Sequence, residues 1–583
     1  MSYRPSLKDI TFCLDHVVGM ASCYNHSVFP DFDADLRDAV LAAAGQLAGE
    51  VLAPLNRIGD QKGTRLEGDK VITAPGFTEA IQTYAEGGWY GLAADPAYGG
   101  QGLPKMLEQA CFEMFHAANM AFSLLPTLSQ GAIEAIHAHG TQAQKDLYLP
   151  RLIAGEWCGT MNLTEPAAGS DLAALTTKAE PDGLGGFKIS GTKIFITWGE
   201  HEDADNIIHL VLARLPDAPA GTRGISLFLC PKYTLDASGQ KTGRNVVKCV
   251  GLEHKLGIHA SPTCVMAFEG AHAELIGPPN GGLAAMFTMM NAARLAVGFE
   301  GVGIAEAAWQ MAQTYALERK QGKSLITGEN PAPIYDHPDV RLTLALMKAK
   351  TEAARAICVA TAAAIDRVRM GHDPERNKRR EDFLVPIAKA WSTDVGVEVA
   401  SMGVQVHGGM GYIEETGAAQ YYRDARIAPI YEGTNGIQAA DLVGRKLGSD
   451  GLAAKELEAD IRNMLPSASD VFPDEAKILD EALSAFSSAT DYLLTQKTAA
   501  PLDVATGASA YLTLCGDLMG GWLLLKGAMA ALSLMDSGDK MWLSDRIRLM
   551  RIYFAHVLSH AQAHKLAITS GYAALDGLTM AGD

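Results

Sequence analysis

Glu432 stands between Tyr431 and Gly433, after the apolar run Ile427 to Ile430 and before a predicted helix. A carboxylate held at an element end beside glycine can meet a ligand at close range. Partial burial there raises a Glu pKa towards roughly 6–7, the range of a useful general base. A second set of polar groups lies in Thr164-Glu-Pro-Ala-Ala-Gly-Ser-Asp171. Gly169 permits a tight backbone approach, and hydroxyls and amides can hydrogen-bond a polar ring edge or a phosphate. Each reading has a structural alternative. Glu432 can cap a helix or pair with Arg423 or Arg426, and the Thr164 segment can be a loop held by its own Thr, Ser and Asp side chains.

The elements around these residues follow from pattern. Pro429 predicts an extended entry to Glu432, because its ring disfavours helix in the preceding residue. Thr434 or Asn435 can cap the following helix, with Ile437 and Leu442 on one face. From Asp33 the positions Leu36, Val40, Leu41, Ala44, Leu47 and Val51 keep a helical period up to Pro54, and helices continue to about Glu156. Tyr98-Gly-Gly-Gln-Gly102 does not match a nucleotide loop after a strand and predicts a turn. Phe187 to Thr197 alternates with period two around Ser190-Gly191, which predicts a hairpin, and 207–212, 225–229 and 264–268 predict further strands. Helical periodicity returns over Leu283–Lys320, Val340–Met370 and Phe383–Gly403, with the charged stretch Gly371 to Asp382 as a solvated loop. The tail after Gly451 is helical, with Leu543, Ile547, Met550, Phe554 and Leu558 as a core-facing stripe.

With 583 residues the chain needs three to four domains. Its net charge of -18 argues against non-specific nucleic-acid binding, yet leaves room for an anionic ligand in a local basic patch. Nine cysteines without a Cys-x-x-Cys suggest reduced thiols, a cytoplasmic protein and no zinc site. His254 and His259 have no third ligand at helpful spacing, so no metal is expected. Charges within Met1 to Met20 speak against a secretory signal. Leu518 to Met535, interrupted by Lys526 and glycines, reads as a buried helix, so no membrane span is expected.

The segment Arg423-Asp-Ala-Arg-Ile followed by Tyr431-Glu-Gly-Thr-x-x-Ile-Gln438 resembles the catalytic segment of the acyl-CoA dehydrogenases. The resemblance covers about residues 35–447. It implies a mainly α protein with a central β-domain: a helical domain, a β-barrel-like domain and a four-helix bundle. An additional C-terminal helical domain resembles that of the larger family members. The expected divisions are 1–34 (extension), 35–157 (helical), 158–275 (β), 276–447 (bundle with the catalytic Glu) and 452–583 (extra helical domain).

The resemblance implies that Glu432 removes the α-proton of an acyl-CoA thioester while the β-hydrogen leaves as hydride to FAD, with the Glu432 backbone amide helping to polarise the carbonyl. It assigns FAD contacts to Met161, Leu163, Thr164, Gly169 and Ser170, with Ser170 also near the acyl-CoA. Phe195, where the family often has Trp, packs on the flavin, and Thr197 lies near its reactive nitrogen. Arg319 is the candidate for the FAD diphosphate of a neighbouring subunit, which suits a guanidinium fork. The family's usual Phe-Gly shortly after it is replaced by Gln321-Gly322-Lys323. Gln405 and Gly409, in Gln405-Val-His-Gly-Gly-Met-Gly411, contact the adenosine or diphosphate part across the subunit boundary, with His407 structural, and Thr434 adds a ribose or diphosphate contact. Asn291 and Arg294 are substrate-side candidates, Arg294 supporting Glu432 electrostatically. A homodimer follows as the minimum, with an electron-transfer flavoprotein as acceptor. The long form, the opening Tyr3 to Thr11 and the stretch Met286 to Arg294 are most similar to the subfamily acting on 3-methylmercaptopropionyl-CoA in dimethylsulfoniopropionate demethylation. General medium- and long-chain dehydrogenases and acyl-CoA oxidases are the alternatives. DNA-associated relatives of the fold would want a basic tail, and this one carries Asp470, Asp474 and Glu475.

Overall fold

The structure is a computed structural model that describes residues 3–236 and 238–578. Met1, Ser2 and 579–583, the outer ends of the expected extension and tail domain, lie outside the described residues. The chain forms two compact units, one built on 42–296 and the other on 6–41 with 297–583.

The first unit joins helices to a seven-stranded sheet. The strands run Val247–Leu252, Thr263–Ile276, Phe187–Thr197, Lys178–Pro181, Asn206–Arg214 and Trp157–Asn162, and Ile225–Pro231 pairs with both Thr263–Ile276 and Asn206–Arg214. That seventh strand closes a ring, as the expected barrel-like domain requires, and leaves few free edges. The expected hairpin at Ser190-Gly191 is instead one continuous strand, Phe187–Thr197, lying antiparallel to the long Thr263–Ile276 strand. Gly191 absorbs the irregularity: its φ is +155°, and an added Cβ would meet Thr177 Oγ1 at 2.4 Å. A Ser-Gly pair marks a close backbone approach as readily as a turn. The helix Met120–His139 seats against Trp157–Asn162, where Gly159 N donates to Ser129 Oγ at 3.1 Å. Trp198 is fully buried and its indole donates to Ala121 O at 3.2 Å.

The second unit is helical. The latter part of Gly282–Glu318 packs with Pro338–Arg369 and Pro374–His407 through small residues. A Cβ on Gly301 would lie 2.3 Å from Ser392 O, so glycine sets that crossing. Residues 374–382 are the first turns of the Pro374–His407 helix, not a loop. Their cations do not simply face water: Arg376 and Arg380 pair with Asp460, and Arg379 with Glu456 at 2.7 Å, on the tail helix Leu452–Val471. The tail continues through Pro473–Ala499, Pro501–Ser533, Lys540–His556 and Ala561–Thr569. In its last stripe Leu543, Met550, Phe554 and Leu558 are buried and Ile547 is partly so. Gly282–Glu318 and Pro501–Ser533 are apolar and long enough to cross a membrane by composition, and both are mostly buried. All nine cysteines are buried and none forms a disulfide.

From Ser6 the N-terminal extension belongs to this unit as a packed element. Its helix Leu7–Phe12 places Asp9 beside Lys348 at 2.7 Å and Arg546 at 3.1 Å, one from the bundle and one from the tail. Ser6 Oγ donates to buried Glu306 at 2.5 Å, and Glu306 also holds Lys348 at 3.0 Å and Arg355 at 3.1 Å.

Candidate active site

The segment bearing Glu432 begins where the helix Ala418–Ala425 stops. Residues 426–430 form consecutive turns rather than the expected extended entry, with Ala428 N donating to Ala425 O at 3.2 Å and Ile430 N to Ile427 O at 2.8 Å. Pro429 still ends the helix, and its carbonyl accepts from Asn435 N at 3.0 Å, so the chain doubles back around Glu432. Thr434 caps Asn435–Asp441, accepting from Ile437 N at 3.2 Å. Leu442 is buried, but Ile437 is 40% exposed, so the expected common apolar face does not form. Asn435 serves the bundle instead of the cap, donating to Ala390 O at 3.0 Å and Asp394 Oδ1 at 2.8 Å.

Glu432 is half-buried with φ +54°, followed by Gly433 at +83°. A left-handed Glu is strained and needs its surroundings to hold it there. Two fully buried side chains do so. Gln438 donates to the carbonyls of Glu432 and Gly433 at 3.1 and 3.2 Å, and Lys389 Nζ donates to Gly433 O and Asn435 Oδ1, both at 2.9 Å. Arg423 pairs with Glu414 at 2.9 Å. A helix cap is therefore not what Glu432 supplies; Thr434 does that.

Behind Glu432 lies a residue the motif reading did not nominate. The Tyr431 hydroxyl donates to Oε2 of Glu300, which is fully buried on the Gly282–Glu318 helix. Burial is the main cause of Glu300's raised pKa; the Tyr431 hydrogen bond and Lys389 oppose it, the Glu432 charge adds to it, and the carboxyl sits at about 8. Its signal in the sequence is a lone acid within the apolar run Leu295 to Val302, as Lys389 is a lone cation in Ile387 to Trp391. Burying either without partners would be costly, so each implies a specific neighbour.

The other nominated residues of this unit lie around the bundle. Arg319, Gln405, Gly409 and Thr434 are exposed. The Tyr315 and His407 rings stack with centroids 4.4 Å apart, tying the helix end that carries Arg319 to the one that carries Gln405. His407 Nδ1 lies 2.7 Å from Gly403 O, which fits the structural role expected of it.

In the β-containing unit, Met161 is buried on its strand, Leu163, Thr164 and Thr197 are partly buried, and Gly169 and Ser170 are exposed. The turn they form is organised by Glu165, not by Thr, Ser and Asp alone. Glu165 accepts from Thr176 N at 2.7 Å, Thr177 N at 3.0 Å and buried Lys193 Nζ at 2.9 Å, while Lys193 also donates to Leu163 O at 2.9 Å. Thr164 O accepts from Ile194 N at 2.9 Å, which locks the turn to the strand bearing Phe195 and Thr197. Phe195 is no core strand residue: it has φ +61° and is 57% exposed. Its side chain is held out of the sheet in a strained conformation that the surroundings must enforce. Asn291 and Arg294 sit together on the first turns of Gly282–Glu318, with Arg294 Nη1 donating to Asn291 Oδ1 at 3.5 Å. Arg294 is buried rather than paired at the surface.

Four family models match: the N-terminal domain of acyl-CoA dehydrogenase over 39–156, the middle domain over 160–271, the C-terminal domain over 280–447, and an acetyl-CoA dehydrogenase C-terminal-like domain over 453–578. The 3-methylmercaptopropionyl-CoA dehydrogenase of Ruegeria pomeroyi is 43% identical, covering 98% of both chains. Caenorhabditis elegans ACDH-11, solved in complex with C11-CoA, shares the fold with a TM-score of 0.77 at 21% identity, over 99% of this chain and 97% of its own. An acyl-CoA dehydrogenase from Bacillus anthracis, solved with FAD, has a TM-score of 0.74 at 21% identity, over 92% and 89%. The chain belongs to the acyl-CoA dehydrogenase family, in the form with an additional C-terminal helical domain. It is thus a flavin-dependent oxidoreductase with acyl-CoA dehydrogenase activity.

Proposed function

We propose that this chain converts 3-methylmercaptopropionyl-CoA to 3-methylthioacryloyl-CoA, with Glu432 as the base. The observation that carries the chemistry is the pinned, left-handed presentation of Glu432. The substrate assignment is supported by the Ruegeria pomeroyi relative, similar along nearly the whole of both chains.

The residues fit a flavin dinucleotide. Phe195 offers an exposed ring face, and a Cβ added to Gly169 or Gly409 would meet nothing within 4 Å, which leaves room for a ligand against the backbone. Met161, Leu163, Thr164, Gly169, Ser170, Phe195 and Thr197 would hold the ring and its neighbours, while Arg319, Gln405, Gly409 and Thr434 would hold the diphosphate and adenosine. Bound FAD would supply the hydride acceptor for the β-hydrogen. Glu432 accepts the α-proton, so the thioester loses one proton and one hydride and gains a double bond. Asn291 and Arg294 would contact the acyl-CoA. With the Arg319 and Gln405 contacts made to a neighbour's FAD, the working unit is a homodimer. Electrons pass to an electron-transfer flavoprotein, and the buried thiols suit a reducing cytoplasm.

The test is anaerobic titration with 3-methylmercaptopropionyl-CoA and, in parallel, butyryl-, octanoyl- and palmitoyl-CoA, following flavin bleaching. Fastest bleaching by the thioether substrate supports the assignment, whereas preference for palmitoyl-CoA moves the enzyme to fatty-acid β-oxidation. Rapid reoxidation of the reduced flavin by air would make it an oxidase. Glu432→Gln is expected to retain FAD and lose bleaching by every substrate.

A further inference from the structure

The Glu300 carboxyl is sealed inside the helical unit directly behind the catalytic segment. One oxygen accepts from the Tyr431 hydroxyl, and the other has no hydrogen-bond partner among the described residues. A buried carboxylate with one bare oxygen is far more costly ionised than protonated. The charged groups that act on it are Glu432, which disfavours a second negative charge, and Lys389, whose ammonium is directed to Gly433 O and Asn435 Oδ1. Two neighbouring carboxyls with different environments ionise in sequence, one remaining neutral while the other works.

We propose that Glu300 is a positioning residue that stays protonated beside Glu432, and that by accepting the Tyr431 hydroxyl it holds Glu432 in its left-handed turn. The proposal rests on Glu432 being the base. Neutral Glu300 leaves Glu432 as the single negative charge of the pair, free to be ionised and receive the α-proton. Once Glu300 ionises, a second buried charge lies beside Glu432 and opposes negative charge developing on the thioester. Flavin reduction by substrate therefore declines on the alkaline side, around pH 8.

Folding carries the same signature. Glu300 holds its proton more tightly folded than unfolded, since its pKa rises from 4.5 to about 8. Its contribution to stability is complete below pH 4.5 and lost as pH rises through about 8.

The experiment compares wild type, Glu300→Gln, Glu300→Leu and Glu432→Gln as FAD-loaded enzymes, from pH 6 to 9.5. Glu300→Leu removes the acceptor for Tyr431 and is expected to slow anaerobic flavin reduction about tenfold at pH 7, the effect of roughly one buried hydrogen bond on a loop that must be held. Glu300→Gln keeps a neutral acceptor, so it restores most of that rate and shifts the alkaline limb upward by about a unit or more. Independently of activity, the Tm of Glu300→Gln relative to wild type rises with pH from 6 to about 8 and levels off above it. An alkaline limb unmoved in Glu300→Gln, together with a pH-independent Tm difference, overturns the proposal. If Glu432→Gln is still reduced, the reading of Glu432 as base fails instead, whatever Glu300→Gln does.

Discussion

At the scale of single residues, two of the side chains nominated from motifs, Phe195 and Glu432, share an uncommon property: a positive φ without being glycine. Such conformations cost of order 1–3 kcal/mol each and persist where the surroundings enforce them. For Phe195 the strain coincides with exposure, so the ring does little for the fold. Phe195→Gly, which adopts φ +61° freely, is expected to weaken FAD binding about tenfold or more, as loss of an aromatic stack does. The Tm of the apoprotein should not fall. Fluorescence titration with FAD and a melting curve of the apoprotein check both. The acids and cations of the site were only half legible. Glu432 announced itself through its motif, whereas Glu300 and Lys389 were single charges in apolar helices whose partners lie 131 and 44 residues away. Local spacing carries no trace of such a pairing.

At the scale of elements, the helical period located the long helices within a few residues, and it failed where charge was equated with solvent. Residues 371–382 looked like a loop because eight of the twelve, Asp373, Glu375, Arg376, Lys378, Arg379, Arg380, Glu381 and Asp382, are charged; in the fold they are mostly helix, and three arginines reach acids of the tail. Likewise Ser190-Gly191 mimicked a turn, yet the glycine serves a close approach to Thr177. The seam between the bundle and the tail is set in the same way. Trp391 Nε1 donates to Asp517 Oδ1 at 2.9 Å, and a Cβ on Gly516 would lie 2.2 Å from Trp391 Cδ1. Gly516→Ala is expected to destabilise by about 1–3 kcal/mol, the usual cost of overpacking, despite alanine's better helix propensity. Urea denaturation of the two proteins measures it. Thr434→Ala removes a helix cap and is expected to cost about 1 kcal/mol; because that cap closes the Glu432 turn, its flavin-reduction rate should fall with it.

At the scale of the whole molecule, the extension and the tail are joined to the bundle by a buried charge cluster: Asp9, Glu306, Lys348, Glu352, Arg355 and Arg546. Burial alone would raise the Glu306 pKa, but Lys348 and Arg355 outweigh it and bring the carboxyl down from 4.5 to about 2. Its stabilising contribution is therefore present above pH 4.5 and lost as pH falls towards about 2. Glu306→Gln, which leaves two buried cations short of a partner, is expected to cost about 3–5 kcal/mol at pH 7. The Tm gap to wild type should narrow between pH 5 and 3, as followed by calorimetry.

The sequence by itself determined the family, the order of helical, β and helical regions, and the candidate for the base. These rest on local patterns: periodicities of two and 3.6, and a motif whose residues are neighbours in the chain. Only the tertiary structure decided that the barrel closes, that Phe195 faces outward, that the extension is a packed part of the helical unit, and that a second carboxyl lies behind Glu432. Each of those depends on which distant segment supplies the missing hydrogen bond or countercharge, and burial makes that choice where spacing along the chain cannot.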